Sequence, residues 1–204
     1  LAPVFLDLQS QGAHNLNLVT ATQYLPDILE ALDQVKDRLH IPVVYNCGGY
    51  ESVETLRMLE GLVDIYLPDF KYLNTDHAKK YSKAEDYPEV AKAALAEMVR
   101  QTGEPVFDER GMMKRGVIVR HLLLPGCLAD GKRVVKYLHE TYGNRIYMSL
   151  MSQYTPLESL DAAKYPELNR KVPEYAYEKL VDYAISLGVM EAFIQEGDTA
   201  KESF

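Results

Sequence analysis

Tryptophan is absent from this chain of 204 residues, cysteine occurs only twice, and positive charge is in the minority. Apolar runs are short as well. None approaches the ~20 residues of a helical membrane span, so no membrane partner is expected. Cys47 and Cys127 lie far apart in sequence. They form neither the framework of a small secreted domain nor a CxxC pair for zinc. A reducing cytoplasm is the expected setting, and no signal peptide is visible. Lys and Arg number 22 against 30 Asp and Glu, a formal net charge of -8. A general nucleic-acid binder needs basic side chains to displace counterions from phosphates, so nucleic acid is not expected as a partner. No linker, repeat or low-complexity tract interrupts the chain. It opens at Leu1 rather than Met, in helix-like sequence, which suggests a piece of a longer protein.

What is present is ordinary globular composition, 47% hydrophobic and 25% charged. A length within ~100–200 residues suits one domain, so 1–204 is parsed as a single domain. Short β-rich runs alternate with amphipathic helices. The strand candidates are Asn15–Thr20, Ile41–Asn46, Asp64–Pro68, Gly116–Leu124, Arg145–Ser152 and Val189–Gln195. Most are continuously apolar, as parallel strands covered on both faces are. Tyr24–Leu39 carries Leu25, Ile28, Leu29, Leu32, Val35 and Leu39 on one face at helical spacing. Ser52–Gly61 starts at a capping serine. Asp86 with Glu89 reads as a capping box, Asp130 as the cap of a helix that Gly143 closes, and Pro173 as the start of a last helix ending at Gly188. Residues 105–120 read as a small hairpin around Glu109-Arg110-Gly111. Asn74–Tyr87 and Thr155–Val172 are polar excursions longer than ordinary loops. Alternation of this kind predicts an α/β fold with a mostly parallel sheet, either doubly wound or a partial, open β/α TIM-like barrel. No glycine fingerprint follows the first strand, which lowers the dinucleotide-binding reading.

Polar residues collect where the strands end: Thr20 and Thr22, Asn46 and Cys47, Asp69 and Lys71, Arg120 and His121, Gln153 and Tyr154, Gln195 and Glu196. In a β/α barrel that rim carries the active site; strand ends are also polar simply because they meet water. A buried Lys71 beside Asp69 is compatible with Schiff-base chemistry or with a plain ion pair. Arg120 interrupts an apolar strand and needs an anion there, a ligand carboxylate or Asp69. His121 reads as a packed histidine. Gly48-Gly49 permits close backbone approach to a ligand or merely makes a turn. Cys47 has no partner histidine in view to make it a nucleophile. The 15 tyrosines read as packing.

Several segments together resemble a known family. They are Gly12–Thr20, Val44–Glu51, Val63–Tyr72, Tyr81-Ser82 with Asp86–Ala91, Arg115–His121, Tyr147–Pro156 and Gln195-Glu196-Gly197. As a set they resemble the radical S-adenosylmethionine proteins, in the branch of pyruvate formate-lyase activating enzyme homologues. The resemblance implies a partial β/α barrel, a [4Fe–4S] cluster and S-adenosylmethionine bound across the strand ends. It implies reductive cleavage of that cofactor to a 5′-deoxyadenosyl radical, which abstracts hydrogen from a protein or small substrate. Implied partners are a glycyl-radical enzyme or another protein substrate, with reduced flavodoxin or ferredoxin as electron donor. Thr20, Thr22, Asn46, Asp69, Lys71, Arg120, Gln153 and Tyr154 are then the candidate cofactor-binding residues. The family's Cys-x3-Cys-x2-Cys loop has no counterpart here, so no residue is assigned to the metal. On this reading the chain is the C-terminal part of such a barrel, truncated at its N-terminus, and inactive alone. The tail Asp198–Phe204 stops short of the family's usual end. Two alternatives stand beside it: a non-catalytic barrel module binding S-adenosylmethionine or a partner, and a Lys71 Schiff-base lyase.

Overall fold

Leu16-Asn17-Leu18-Val19 and Val43–Cys47 pair as parallel strands β1 and β2, with Leu16 opposite Val43 and Val19 opposite Asn46. The structure is a computed structural model and describes residues 1–195. Glu196, Gly197 and the tail from Asp198 lie outside the described residues. Strand β3, Ile65–Pro68, continues the ladder, with Val44 opposite Ile65 and Cys47 opposite Pro68. Four of the five residues of β2 are buried, the mark of a strand covered on both faces. Such pairing requires crossover connections. They are helices α2 (Leu25–Val35) and α3 (Val53–Met58), with α1 (Ala2–Ser10) ahead of β1.

The chain groups into two compact units. The first joins Leu1–Asp69 to Glu89–Val119. Its core holds Val35, Tyr45, Leu56, Leu59, Tyr66 and Met98, the last from helix α5, Tyr87–Thr102. Tyr45 and Tyr66 meet edge-on with centroids 6.1 Å apart. The Tyr66 hydroxyl donates to Gln101, whose amide donates on to the Leu56 carbonyl at 2.9 Å, so the buried polar groups are chained together. The expected hairpin is present: β4 (Val106–Phe107) runs antiparallel to β5 (Met113–Leu122). Asp108 fastens its turn by accepting the amides of Arg110 and Met112 at 3.0 and 2.9 Å. Pairing with β4 is why β5 starts earlier than the apolar run at Gly116 suggests.

The second unit takes Phe70–Pro88 and the chain from Arg120 onward. Helix α6 (Leu128–Tyr142) and helix α7 (Glu174–Ser186) contribute Val134, Leu138 and Leu180 to its core beside β6 (Tyr147–Met151). Strand β7 (Ala192–Gln195) pairs parallel to β6, and Tyr177 anchors α7 by donating to the Leu150 carbonyl at 2.8 Å. Gly131 inside α6 is closely packed: a Cβ there would stand 3.1 Å from both His121 Nε2 and Leu123 Cδ1. Among the described residues seven strands run in the order β1-β2-β3-β5-β6-β7, with β4 beside β5, and the sheet is not closed. This is the open, mostly parallel α/β class that the sequence predicts. No helix among these residues is long and apolar enough to cross a membrane.

Two expectations are corrected. Asp130 does not cap α6. The helix starts earlier, at Leu128, because the turn Leu124–Cys127 closes on itself, and Cys127 stands at the cap position. Asp130 is therefore inside the first turn, buried, and accepts the amides of Leu73 and Asn74 at 3.2 Å each. Helix α2 ends at Val35 rather than Leu39, because Arg38 and Leu39 both donate back to the Val35 carbonyl and tighten the end. The excursion after Asn74 is a short helix, α4 (Thr75–His77), opening into a wide turn, Ala78–Ser82. The Asn74 side chain caps α4, and Asp130 holds the segment from beneath. Asp130→Ala leaves two amides without their acceptor and is expected to cost about 2 kcal/mol of stability, read by urea unfolding; an unchanged midpoint overturns this role.

Candidate functional site

The backbone sets three strand ends side by side in the first unit. The Thr20 amide donates to the Asn46 carbonyl at 2.9 Å, and the Asp69 amide to the Cys47 carbonyl at 2.9 Å. Thr20, Asn46 and Asp69 thus stand in one row because parallel strands end at the same edge. Thr20 has a left-handed backbone, φ 50°, an uncommon state for a residue with a side chain. Thr22 Oγ1 lies 2.8 Å from the Tyr45 hydroxyl. Burial pushes that phenol up to about 12, so it stays protonated and fixes the threonine.

Sequence reasoning passed over Glu51 as a site residue. It follows the Gly48-Gly49 turn and is buried. Burial pushes its carboxyl above the usual range, while hydrogen bonds from the Cys47 thiol and from the amides of Glu51 and Gly49 work the other way, and Asp69 adds to the rise. Oε2 of the same carboxyl takes no hydrogen bond. Burial, the Glu51 carboxyl and Asp69 push the Cys47 thiol upward, so it is not a thiolate nucleophile at neutral pH.

The second unit holds the remaining candidates. The Phe70 amide donates to the Arg120 carbonyl at 2.8 Å, which seats Lys71 near the end of β5. The Lys71 amide donates to the Tyr87 hydroxyl at 3.0 Å. His121 is buried with Nδ1 2.8 Å from the Phe70 carbonyl, a packed histidine. Gln153 and Tyr154 follow β6, and the Tyr154 hydroxyl donates to the Leu168 carbonyl at 2.9 Å.

A further cluster joins the two polar excursions. Lys80 Nζ and the Tyr81 hydroxyl both donate to Glu167 Oε1, each at 2.5 Å. The Tyr81 ring also meets those of Tyr72, His77 and Tyr165, with centroids 6.2, 5.7 and 6.3 Å away. Lys80 first, then Tyr81, holds the Glu167 carboxyl down to about 2. Cys127 lies under this latch, and burial pushes its thiol up to about 11. Only the length of the two excursions hints at this cluster in the sequence.

Among the described residues no three His, Cys, Asp or Glu side chains gather to hold a metal ion. A cluster of the implied type needs three thiolates. Cys47 and Cys127 are both buried and free, one in each unit, with thiols pushed upward. The residues of this chain do not fit an iron–sulfur cluster.

No family model matches the chain. An uncharacterized protein of Methanocaldococcus jannaschii is 30% identical over 173 residues, covering 83% of this chain and 46% of that protein. The chain thus spans about half the length of the curated relative it matches. A crystal structure of a domain of pyruvate-formate lyase-activating enzyme from Bacteroides vulgatus superposes with a TM-score of 0.60 at 11% identity, over 89% of this chain and 98% of that one. The shared feature is the fold, an open parallel α/β sheet of the kind the resemblance implies.

The latch has a pH signature. The Glu167 carboxyl is depressed in the folded chain, so its contribution is complete above the ordinary carboxylate value of about 4.3 and fades as pH falls toward about 2. The protection factors of amides 155–172 in hydrogen exchange, referred to the intrinsic rate at each pH, are expected to fall on acidification through that window and in Glu167→Gln at neutral pH. Equal protection in the variant overturns the latch.

Proposed function

We propose that this chain is the cofactor-binding part of a radical S-adenosylmethionine enzyme of the activating-enzyme type. The observation that carries the reading is positional. The motif residues of the resemblance, Thr20, Asn46, Asp69, Arg120 and Gln153, lie at or within two residues of the C-terminal ends of successive parallel strands. That is where α/β sheets bind ligands. The likeness in fold to an activating-enzyme domain supports it.

S-adenosylmethionine supplies, when bound and reduced, a radical for hydrogen abstraction. The chain's own residues do the holding. Thr20, Thr22, Asn46 and Asp69 offer hydroxyl, amide and carboxylate groups to the ligand's polar parts. Arg120 offers a guanidinium to its carboxylate, the strongest pairing this donor makes. Lys71, Gln153 and Tyr154 complete the set. The reducing cluster belongs to a segment outside this chain, since the cysteines here do not fit it. The radical target is a glycyl-radical enzyme or another substrate, and the electron donor a reduced flavodoxin or ferredoxin in the cytoplasm.

The test uses the longer natural protein, reconstituted anaerobically with iron and sulfide and supplied with dithionite and S-adenosylmethionine. Release of 5′-deoxyadenosine is expected, with a loss of about tenfold or more in Arg120→Ala, which removes a charge-assisted pair. No 5′-deoxyadenosine from the cluster-loaded protein overturns the proposal.

A further inference from the structure

His121 is a polar ring in an apolar place. It is 3% exposed and shares one face of its strand with Val119 and Leu123, both buried. An aliphatic side chain would fill that place without the cost of burying polar nitrogens. Nδ1 lies 2.8 Å from the Phe70 carbonyl. A carbonyl only accepts, so Nδ1 carries the proton and donates it to Phe70. Helix α6 stops the ring from behind, since a Cβ on Gly131 would stand 3.1 Å from Nε2.

The bond has a particular address. The Phe70 carbonyl and the Lys71 amide belong to one planar peptide group. His121 holds the oxygen of that plane, and the buried Tyr87 accepts its N–H at 3.0 Å. On the plane before it, the Phe70 amide donates to the Arg120 carbonyl at 2.8 Å. Further on, the Leu73 and Asn74 amides donate to Asp130 at 3.2 Å each. The peptide whose orientation sets φ of Lys71 is thus clamped at both ends by side chains. Rotating it breaks both bonds and swings the Lys71 side chain to a new direction. Asp130 and Arg120 fasten the neighbouring peptides, so His121 and Tyr87 alone hold this one.

We propose that His121 is a positioning residue: by holding the Phe70–Lys71 peptide it aims the Lys71 ammonium at the anionic group of the bound ligand. The inference rests on the S-adenosylmethionine reading above, whose ligand carries one anionic group, its carboxylate. It gives a task to a residue outside the cofactor-binding candidates drawn from the sequence.

The test compares two ligands by titration calorimetry on the full chain. S-adenosylmethionine carries the carboxylate; its decarboxylated form lacks it and keeps the ammonium and the sulfonium. An asparagine amide reaches where Nδ1 stands and a glutamine amide where Nε2 stands, so only asparagine preserves the donor to Phe70. In His121→Gln the affinity for S-adenosylmethionine is expected to fall about tenfold, the scale of one charge-assisted hydrogen bond. Affinity for the decarboxylated ligand should stay within about twofold, which also shows that the variant folds. His121→Asn should keep the affinity for S-adenosylmethionine within about threefold of the unaltered chain. Added to Lys71→Ala, His121→Gln should cost no more than about a further twofold, because its effect passes through Lys71. Undiminished affinity for S-adenosylmethionine in His121→Gln overturns the assignment. So does an equal loss for both ligands, a full further loss in the Lys71→Ala background, or an asparagine variant no better than the glutamine one; each would make His121 a packing residue alone. If the unaltered chain binds neither ligand, the cofactor reading itself falls and takes this inference with it.

Discussion

Parallel pairing is the constraint from which this structure follows. A parallel ladder cannot be closed by a tight turn, so β1, β2 and β3 are each followed by a helical crossover. All three strands then point the same way and end at one edge. Backbone bonds from Thr20 to Asn46 and from Asp69 to Cys47 carry the ladder just past the strands. Those two bonds turn three residues distant in sequence into neighbours. The side chains at that edge owe their proximity to the sheet, not to any local motif. Substitutions at the apolar end of β2 would therefore disturb the row as surely as changes in the row itself.

Burial decides the chemical character of what stands there. Tyr45, Cys47 and Glu51 all sit in or just beyond β2, and burial raises the proton affinity of each. The corner holds its protons at neutral pH more tightly than free side chains would. The cluster of Lys80, Tyr81 and Glu167 follows the opposite rule. There an ammonium and a phenol donate to one carboxylate and keep it ionised. The first arrangement leaves a polar atom without a partner; the second satisfies its carboxylate with two donors. The second therefore reads as a fastening.

Much of the fold was legible because its signals are local. The apolar runs in Ile41–Asn46 and Arg145–Ser152 marked buried parallel strands, and Glu109-Arg110-Gly111 marked a hairpin turn. The strand-end polar residues were visible as a list. The row they form was not, since it depends on register. Asp130 was misread because a capping residue looks the same wherever the helix begins. Only the turn at Leu124–Cys127 moves the start of α6 ahead of it. Glu51 was hidden for a related reason: a glutamate after a glycine pair looks like a solvated surface residue until the packing of Tyr45 and Asp69 is known. The partners Tyr81 and Glu167 lie 86 positions apart, beyond any periodicity a sequence displays.

Cysteine marks most sharply what the residues of this chain do not fit. A thiol ligates iron as a thiolate, and thiolates require an electropositive or solvated setting. Cys47 has carboxyl neighbours and Cys127 has Asp130 and Glu167 among the groups that raise its proton affinity. Both settings work against deprotonation, and no third thiol exists in the sequence to join them. Holding a metal is thus a task for which neither thiol of this chain is set.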